Sequence, residues 1–213
     1  MKVIEPEFEI LTPISKGGVE ELQRIERAAR TCYKSEDKIT DDGESAKRLV
    51  KMLVENGHEA MLEHSQLTVW FCTDRGVSHE LVRHRLAAFA QESTRYCAYN
   101  KGKFGGEITV VRPSNIKRNT DAYIVWSVAC RRAEEAYMEL LDDGVTPQGA
   151  RSVLPTSLKT EIVVTANYRE WRHILALRTS KAAHPDIRYL MHPLLLELQR
   201  RIPIVFDGIS YES

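Results

Sequence analysis

The 213-residue sequence lacks the long apolar runs and the one-sided charge that mark several large classes of protein. No apolar segment approaches the roughly 18–20 residues that a membrane helix needs, and the first ten residues mix acids with apolar side chains, unlike a signal peptide. The 30 lysines and arginines balance 30 aspartates and glutamates, which argues against nucleic-acid binding through a broad cationic surface. We therefore expect a cytoplasmic protein that binds neither membrane nor nucleic acid, with any anion site being local.

Paired cysteines and glycine-rich phosphate loops are also missing. The four cysteines are scattered and form no C-x-x-C pair, so neither a zinc ribbon nor a disulfide framework is indicated, and reduced thiols are expected. No G-x-G-x-x-G follows a strand pattern, and no G-x-x-x-x-G-K-[ST] is present. The chain must therefore hold any phosphate without a Rossmann or P-loop cradle.

Hydrophobic periodicity predicts an α+β fold in a single domain over residues 1–213, because repeats and linker-like segments are absent. A mobile loop is expected at the glycine- and lysine-rich residues 100–106. Gly57 is expected to stop the second helix. Helices are predicted over residues 19–33, 45–56, 77–88, 121–142, 168–179 and 185–200 and just before Pro155, and strands over residues 66–73, 107–112 and 157–166.

Histidines near residue 80 invite comparison with the H-E-x-x-H zinc motif. His79 and Glu80 begin such a pattern, but the second histidine, His84, comes one residue late. On a helix the two imidazoles would point about 140° apart, which does not suit a shared metal. His58 and His64 could meet only through a favourable loop. Non-metal roles are favoured, and no metal is predicted.

A cluster of cationic residues begins with Arg83, His84 and Arg85 and continues with Arg95 after Ser93. Guanidinium groups at a helix end and in the following extended segment can present forked donors to a phosphate. The alternative is a solvated basic helix end. Because residues 86–90 are apolar, we expect the arginines to border buried surface and to need an anion there.

A second basic set lies further along the chain. Arg178 follows Trp171 by seven residues, which places it on or beside the apolar face of the helix predicted there. An arginine in that position needs a partner, either a bound ligand or a buried ion pair with Glu161, Glu170 or Asp186, and the two alternatives stay open. The other members of this set are Arg151, Asn167, Tyr168, Arg169, Arg172 and His173.

These residues reproduce the R-H-R-x7-S signature, from Arg83 to Ser93, of the flavin-dependent thymidylate synthases, with Arg95-Tyr96 following as in that family. The chain also resembles the family in four further blocks, in the same order and at the same spacings. They are AARTCY (residues 28–33), NGHEAMLEH (56–64), ARSVLP (150–155) and NYREWRHILALR (167–178). The resemblance covers essentially the whole chain.

The resemblance implies reductive methylation of dUMP to dTMP at uracil C5. In the family, methylenetetrahydrofolate supplies the carbon, FAD carries the hydride and NADPH reduces the flavin. No cysteine attacks the pyrimidine, which agrees with the absence of an evident activating motif around the cysteines here. The implied fold is a non-Rossmann α/β type, with a central, mostly antiparallel sheet flanked by helices. The implied assembly is a homotetramer whose active sites are shared between subunits.

The resemblance also implies site residues, position by position. Arg178 and Ser93 are the catalytic candidates: Arg178 would hold the pyrimidine edge and favour ionisation at N3, and Ser93 would lie beside the ring. Arg95 would bind the phosphate, and Arg151 would come from a neighbouring subunit. The implied dUMP contacts are Glu80, Leu81, Val82, Arg83, Gln91, Glu92, Ser93, Thr94, Arg95, Arg151 and Arg178. The implied FAD contacts are Ala60, Arg83, His84, Arg85, Leu86, Gln91, Asn167, Tyr168, Arg169 and His173.

Four positions depart from the family pattern. Glu80 replaces a common glutamine, and Gln91 stands where some members have glutamate. Ala60 replaces a serine or threonine, so a flavin contact there would use its backbone, and Ala182 replaces a histidine. The arginine set is intact.

Two other classes of protein remain as alternatives. A flavin-free nucleotide hydrolase or phosphotransferase would need an acidic metal-binding cluster near the arginines, which the sequence does not show. A nucleic-acid-binding module could use Arg83, Arg85, Arg95, Arg131 and Arg132, but the neutral net charge and the lack of interleaved aromatics count against it.

Overall fold

The computed structural model describes residues 1–100 and 105–210 of the chain. Residues 101–104 of the predicted loop therefore lie outside the described residues. The strands are β1 (Lys2–Ile4), β2 (Glu7–Ile10), β3 (Gln66–Asp74), β4 (Ala88–Gln91), β5 (Thr109–Val111) and β6 (Lys159–Asn167). The helices are α1 (Val19–Tyr33), α2 (Glu44–Glu55), α3 (Arg75–Leu81), α4 (Asp121–Asp142), α5 (Pro147–Ala150), α6 (Tyr168–Arg178), α7 (Pro185–Arg201) and α8 (Pro203–Phe206).

Helices with a clear apolar stripe form where the pattern predicts them. α1 and α4 match their predicted bounds, and α2, α6 and α7 differ by one residue at one or both ends. Gly57 follows the α2 C-cap in the left-handed conformation (φ 68°), which a glycine adopts without steric cost. Its N–H donates to Val54 O and that of His58 to Leu53 O, a pattern that satisfies the last carbonyls of α2. The predicted stop at Gly57 is confirmed.

The helix predicted over residues 77–88 is wrong in length. α3 begins after Asp74, whose carboxylate accepts from the N–H of Val77 at 2.9 Å, and it ends at Leu81, its last buried residue. No further apolar side chain continues its buried stripe. The chain turns instead, and strand β4, which the pattern did not reveal, begins at Ala88.

A four-stranded antiparallel sheet has the order β2-β3-β6-β4 and is flanked by helices. Leu67, Val69 and Phe71 on β3 are fully buried, whereas Thr68 and Trp70 are half-buried, as the alternation predicts. Strands β1 and β5 form a separate parallel pair, with Val3 opposite Val110. The expected α+β class with a mostly antiparallel sheet is confirmed.

The chain divides into two compact units. The first contains Met1–Phe8, Trp70–Arg83 and Phe89–Val163, and the second contains Glu9–Val69, His84–Ala88 and Val164–Ser213. The first unit has a core built from Tyr99, Ile108, Val110, Cys130, Tyr137, Ala150 and Leu158. The largest fully buried side chains of the second are Trp171, Tyr168, Phe206, Leu22, Ile25, Leu62 and Leu67.

A buried carboxylate stabilises the second unit. Glu26 on α1 is fully buried and accepts from the guanidinium of Arg30 at 2.9 and 3.1 Å and from the hydroxyl of Ser45 at 2.9 Å. These bonds offset the cost of desolvating the charge. In the part of the chain that the structure describes, no helix has the length and apolarity to cross a membrane.

Candidate active site

A cleft of about 560 Å³ in the first unit brings together residues from distant parts of the sequence. Its walls include Arg75, His79, Thr94, Gln148 and Arg151. Arg151 begins a 3-10 turn directly after α5, where the fully buried side chain of Ala150 anchors the backbone. An Nη1 of Arg151 donates to Oγ1 of Thr94 at 3.2 Å. Two of the predicted dUMP contacts are therefore in direct contact.

The turn that follows β4 holds Ser93 and Arg95. The Oγ of Ser93 accepts from the N–H of Arg95 at 3.3 Å, and its carbonyl accepts from the N–H groups of Tyr96 and Cys97. The Nε of Arg95 donates to the side-chain oxygen of Gln148 at 3.2 Å. Because Gln148 also lines the cleft, this bond holds Arg95 near the segment that carries Arg151. No sequence signal indicated the role of Gln148.

Gln91 and Glu92 belong to a polar network within the first unit. The amide nitrogen of Gln91 donates to the hydroxyls of Ser78 at 2.8 Å and Thr160 at 3.2 Å. The carboxylate of Glu92 lies 3.1 Å from the Nζ of Lys159. Burial lowers the pKa of Lys159, but hydrogen bonds to Glu161 and Glu92 outweigh it and raise the pKa overall. Both predicted site residues thus already have partners in the protein.

The predicted dUMP contacts from Glu80 to Arg83 differ in how far their side chains are exposed to solvent. The side chain of Leu81 is 1% exposed, so only its backbone can reach a ligand. Glu80 is half-buried, and Val82 and Arg83 are exposed.

The expectation that the arginines border buried surface is wrong. Arg83 and Arg85 are exposed, and Leu86 is 78% exposed. A turn closed by the N–H of Ala87 donating to the carbonyl of His84 follows α3, and Leu86 faces outward within it. Within residues 1–100 and 105–210, neither Arg83 nor Arg85 pairs with a carboxylate. Both guanidinium groups therefore suit an anion that arrives from solvent.

His84 is the buried member of the R-H-R motif, and it contacts three residues of α6. Its Nε2 accepts from the Nε of Arg178 at 3.0 Å, and its Nδ1 lies 3.6 Å from a carboxylate oxygen of Glu170. The ring of His173 packs edge-on, with centroids 5.8 Å apart. Burial, then the charges of Arg178 and His173, lowers the pKa of His84 from 6.5 to about 4. The imidazole is therefore neutral at neutral pH.

Arg178 was expected to bind either a ligand or a carboxylate, and the structure adds His84 as a partner that neither alternative named. The contact described for its Nε is with His84, and Glu170 lies on the other side of that ring. Sequence reasoning named Glu170 only as a direct ion-pair partner of Arg178. The signal that could have found its role is its position eight residues before Arg178, about two helical turns along α6.

The start of α6 carries other predicted flavin residues. The side chain of Asn167 caps the helix by accepting from the N–H of Glu170 at 2.9 Å. Tyr168 is fully buried, so a ligand could reach only its backbone. Arg169 donates to Glu63 at 2.6 Å, which already balances its charge. Ala60 is exposed on the 3-10 turn Glu59–His64, which also contains Glu63.

These features define an α+β protein with two arginine- and histidine-bearing sets suited to anions, outside the Rossmann and P-loop classes. Among the residues that the structure describes, no three His, Cys, Asp or Glu side chains gather into a metal site.

Comparison with known proteins agrees with this class. The family profile described as "Thymidylate synthase complementing protein" matches residues 19–204. The flavin-dependent thymidylate synthase of Mycolicibacterium gilvum (strain PYR-GCK) is 33% identical over 202 residues, covering 87% of this chain and 78% of the relative. That of Pyrococcus abyssi (strain GE5 / Orsay) is 34% identical over 188 residues, covering 84% and 75%. The chain belongs to the flavin-dependent thymidylate synthase family and is an enzyme of that family.

A solved structure shares the fold. The UMP/dUMP methylase PolB from Streptomyces cacaoi, crystallised with 5-Br dUMP, superposes with a TM-score of 0.79 at 22% sequence identity. The match covers 98% of this chain and 96% of that one. The two chains thus have a common architecture.

Proposed function

We propose that this enzyme converts dUMP to dTMP by reductive methylation of the uracil C5. Methylenetetrahydrofolate supplies the carbon, FAD carries the hydride and NADPH is the reductant. The observation that carries the proposal is that Thr94 and Arg151 line one cleft and that Arg95 is hydrogen-bonded to Gln148 of the same cleft. A nucleoside monophosphate needs such a local cationic site. The family membership and the names of the relatives support the same reaction.

In this proposal the first unit binds the nucleotide. Arg95 and Arg151 take the phosphate, and their protein partners Gln148 and Thr94 keep both guanidinium groups oriented before the substrate arrives. Ser93, in the turn that also holds Arg95, lies beside the pyrimidine. Further contacts to dUMP come from Glu80, Leu81, Val82, Arg83, Gln91, Glu92 and Arg178.

The flavin site draws on the exposed cationic groups of the R-H-R motif and on α6. Arg83 and Arg85 suit the diphosphate of FAD, since each guanidinium is exposed and forms no ion pair within the described ranges. His173 is exposed on α6 and can flank the ring system. Ala60, His84, Leu86, Gln91, Asn167, Tyr168 and Arg169 complete the proposed set. When bound, FAD would supply the hydride that reduces the transferred carbon to a methyl group.

Arg178 is the proposed catalytic group. Its guanidinium can stabilise negative charge that develops on the pyrimidine ring. Its Nε donates to His84, which ties the guanidinium to the protein on one side.

We include a homotetramer with shared active sites in the proposal, each subunit being one domain over residues 1–213. Large apolar side chains that are exposed on the single chain support self-association. They include Leu86 (78% exposed), Tyr96 (80%), Ile124 (57%) and Val125 (70%). Leu86 and Tyr96 flank the proposed site residues in sequence. The expectation that Arg151 serves a neighbouring subunit is not part of this proposal, because its guanidinium is hydrogen-bonded to Thr94 of its own chain.

An absorbance experiment tests the flavin half of this proposal. The purified protein is incubated with FAD, freed of excess, and titrated anaerobically with NADPH in the presence and absence of dUMP. We expect retained flavin bands that bleach on reduction, and weaker retention in Arg85→Ala. The matched control is Arg27→Ala, which removes an exposed arginine of α1 that is not among the proposed site residues. No retained flavin under any of these conditions would overturn the proposal.

A further inference from the structure

Glu170 occupies an unusual place for a carboxylate in the first turn of a helix. It is 7% exposed, and its nearest described polar contact beyond α6 is the ring of His84. Its own backbone is fixed, since its N–H donates to the capping side chain of Asn167. A buried carboxylate is costly unless a group beside it gains from the charge.

The two nitrogens of His84 face opposite kinds of group. Nε2 accepts from Arg178, so this nitrogen carries no proton. The ring is neutral, because burial and the charges of Arg178 and His173 hold its pKa at about 4. The single ring proton is therefore on Nδ1, the nitrogen that faces Glu170 at 3.6 Å. That separation exceeds a hydrogen bond, so the interaction is the attraction of a carboxylate for an N–H dipole across a buried contact.

We propose that Glu170 is a positioning residue that holds His84 in its Nδ1–H tautomer and, through His84, fixes the guanidinium of Arg178. Glu170 lies in the first turn of α6 and Arg178 is its last residue. His84 thus links the two ends of the helix. The expected effect on turnover rests on the catalytic role proposed for Arg178. The tautomer of His84 is independent of that role.

A change of tautomer at His84 would break its hydrogen bond with Arg178. If the proton moved to Nε2, an N–H of His84 would face the Nε–H of Arg178, and two donors cannot bond. The bond between His84 and the Nε of Arg178 would then be lost, and the guanidinium would be held less firmly. Residues that orient a metal ligand from outside the coordination sphere change activity by about 10–100-fold when they are removed, and we expect an effect of the same size here. Binding of dUMP through the phosphate should change much less.

Two substitutions at one position separate this role from a general effect on folding. Glu170→Gln removes the net charge but keeps an oxygen whose partial negative charge still faces Nδ1–H, whereas Glu170→Ala removes both. Each loses the same favourable charge at the start of α6, so the comparison between them reports the polar oxygen that faces the ring. Glu20→Ala, an exposed glutamate in the first turn of α1, is the matched control for a helix-end carboxylate.

The first readout needs no activity. The full chain, loaded with FAD, is labelled with ¹⁵N at histidine, and ring-nitrogen spectra separate protonated from unprotonated nitrogens; His84→Gln assigns the signals. We expect His84 to be Nδ1–H in the wild type, in Glu170→Gln and in Glu20→Ala, and to gain the Nε2–H form in Glu170→Ala. An Nε2–H ring in the wild type, or no change in Glu170→Ala, overturns the proposal.

The second readout is the split between kcat and KM for dTMP formation. We expect Glu170→Ala to lower kcat about 10–100-fold with little change in KM for dUMP, and Glu170→Gln to retain most of kcat. A tautomer shift without loss of kcat overturns the positioning role. If the wild type itself forms no dTMP, the proposed function fails, while the nitrogen spectra still decide the role of Glu170 towards His84.

Discussion

The buried His84 should make the protein lose stability as the pH falls through the mildly acidic range. Its side chain is 5% exposed. Burial, Arg178 and His173 lower its pKa from 6.5 to about 4, whereas the unfolded chain returns it to its ordinary value near 6.5. Between these two values the unfolded state binds a proton that the folded state does not. Stability is therefore complete above about pH 6.5 and falls as the pH drops towards 4.

The size of this effect follows from the two pKa values. Lowering the pH from about 7.5 to about 5 should remove about 2 kcal/mol of unfolding free energy through His84 alone. Below about pH 4 both states are protonated, and this group causes no further loss. Carboxyl groups in general also titrate towards acid pH, so the comparison must be made against a variant that lacks only the imidazole.

Urea unfolding at the two pH values measures the effect. Tryptophan fluorescence follows the transition, and Trp171, which is fully buried on α6, contributes to it from the unit that contains His84. His84→Gln should lose about 2 kcal/mol less than the wild type on acidification. His58→Gln, an exposed histidine, should behave as the wild type. Equal pH dependence in the wild type and His84→Gln would refute the reasoning that His84 is buried and neutral.

Four further predictions use other parts of the structure. Arg178→Ala should lower kcat for dTMP formation by about 10²–10³-fold while NADPH still reduces the flavin. Steady-state kinetics measure the first effect and anaerobic stopped-flow kinetics the second. Normal turnover would remove Arg178 from the catalytic role. Arg151→Ala should raise KM for dUMP about tenfold or more without weakening FAD, as titrations of each ligand would show; equal weakening of both would contradict a phosphate role. Glu26→Ala should cost about 3–5 kcal/mol in urea unfolding because it leaves Arg30 without its buried partner, whereas the exposed control Glu20→Ala should cost less than about 1 kcal/mol. Val125→Glu should yield a smaller species in sedimentation velocity with unchanged circular dichroism, and an unaltered assembly would exclude this face from the tetramer.

The sequence predicted elements well where a repeated apolar pattern decided the structure. α1 and α4 carry stripes several turns long, and β3 alternates over most of its length. The strands β1, β2 and β4 were missed because each has only three or four residues, too few for a period to appear. β1 also gains its partner, β5, from more than a hundred residues away, which no local pattern reveals.

Motif spacing identified the residue types of the candidate site but not their environments. The R-H-R motif suggested three similar cationic groups, yet only His84 is buried, and its two neighbours are exposed. This difference arises from the early end of α3 at Leu81, after which the chain turns at His84–Ala87. The contacts of Thr94 with Arg151 and of His84 with Arg178 join residues 57 and 94 positions apart. Such contacts depend on tertiary structure, so the sequence predicted the participants and not the pairs.

The most direct test of the proposed conversion of dUMP to dTMP is product formation from a labelled carbon donor. The protein is incubated with dUMP, NADPH, FAD and methylenetetrahydrofolate that carries ¹³C in its methylene group, and the nucleotides are analysed by mass spectrometry. The proposed reaction predicts dTMP with the label in its methyl group. Its formation should depend on every component and be strongly reduced in Arg178→Ala. Unchanged dUMP from protein that retains a reducible flavin, or dTMP without the label, would contradict it.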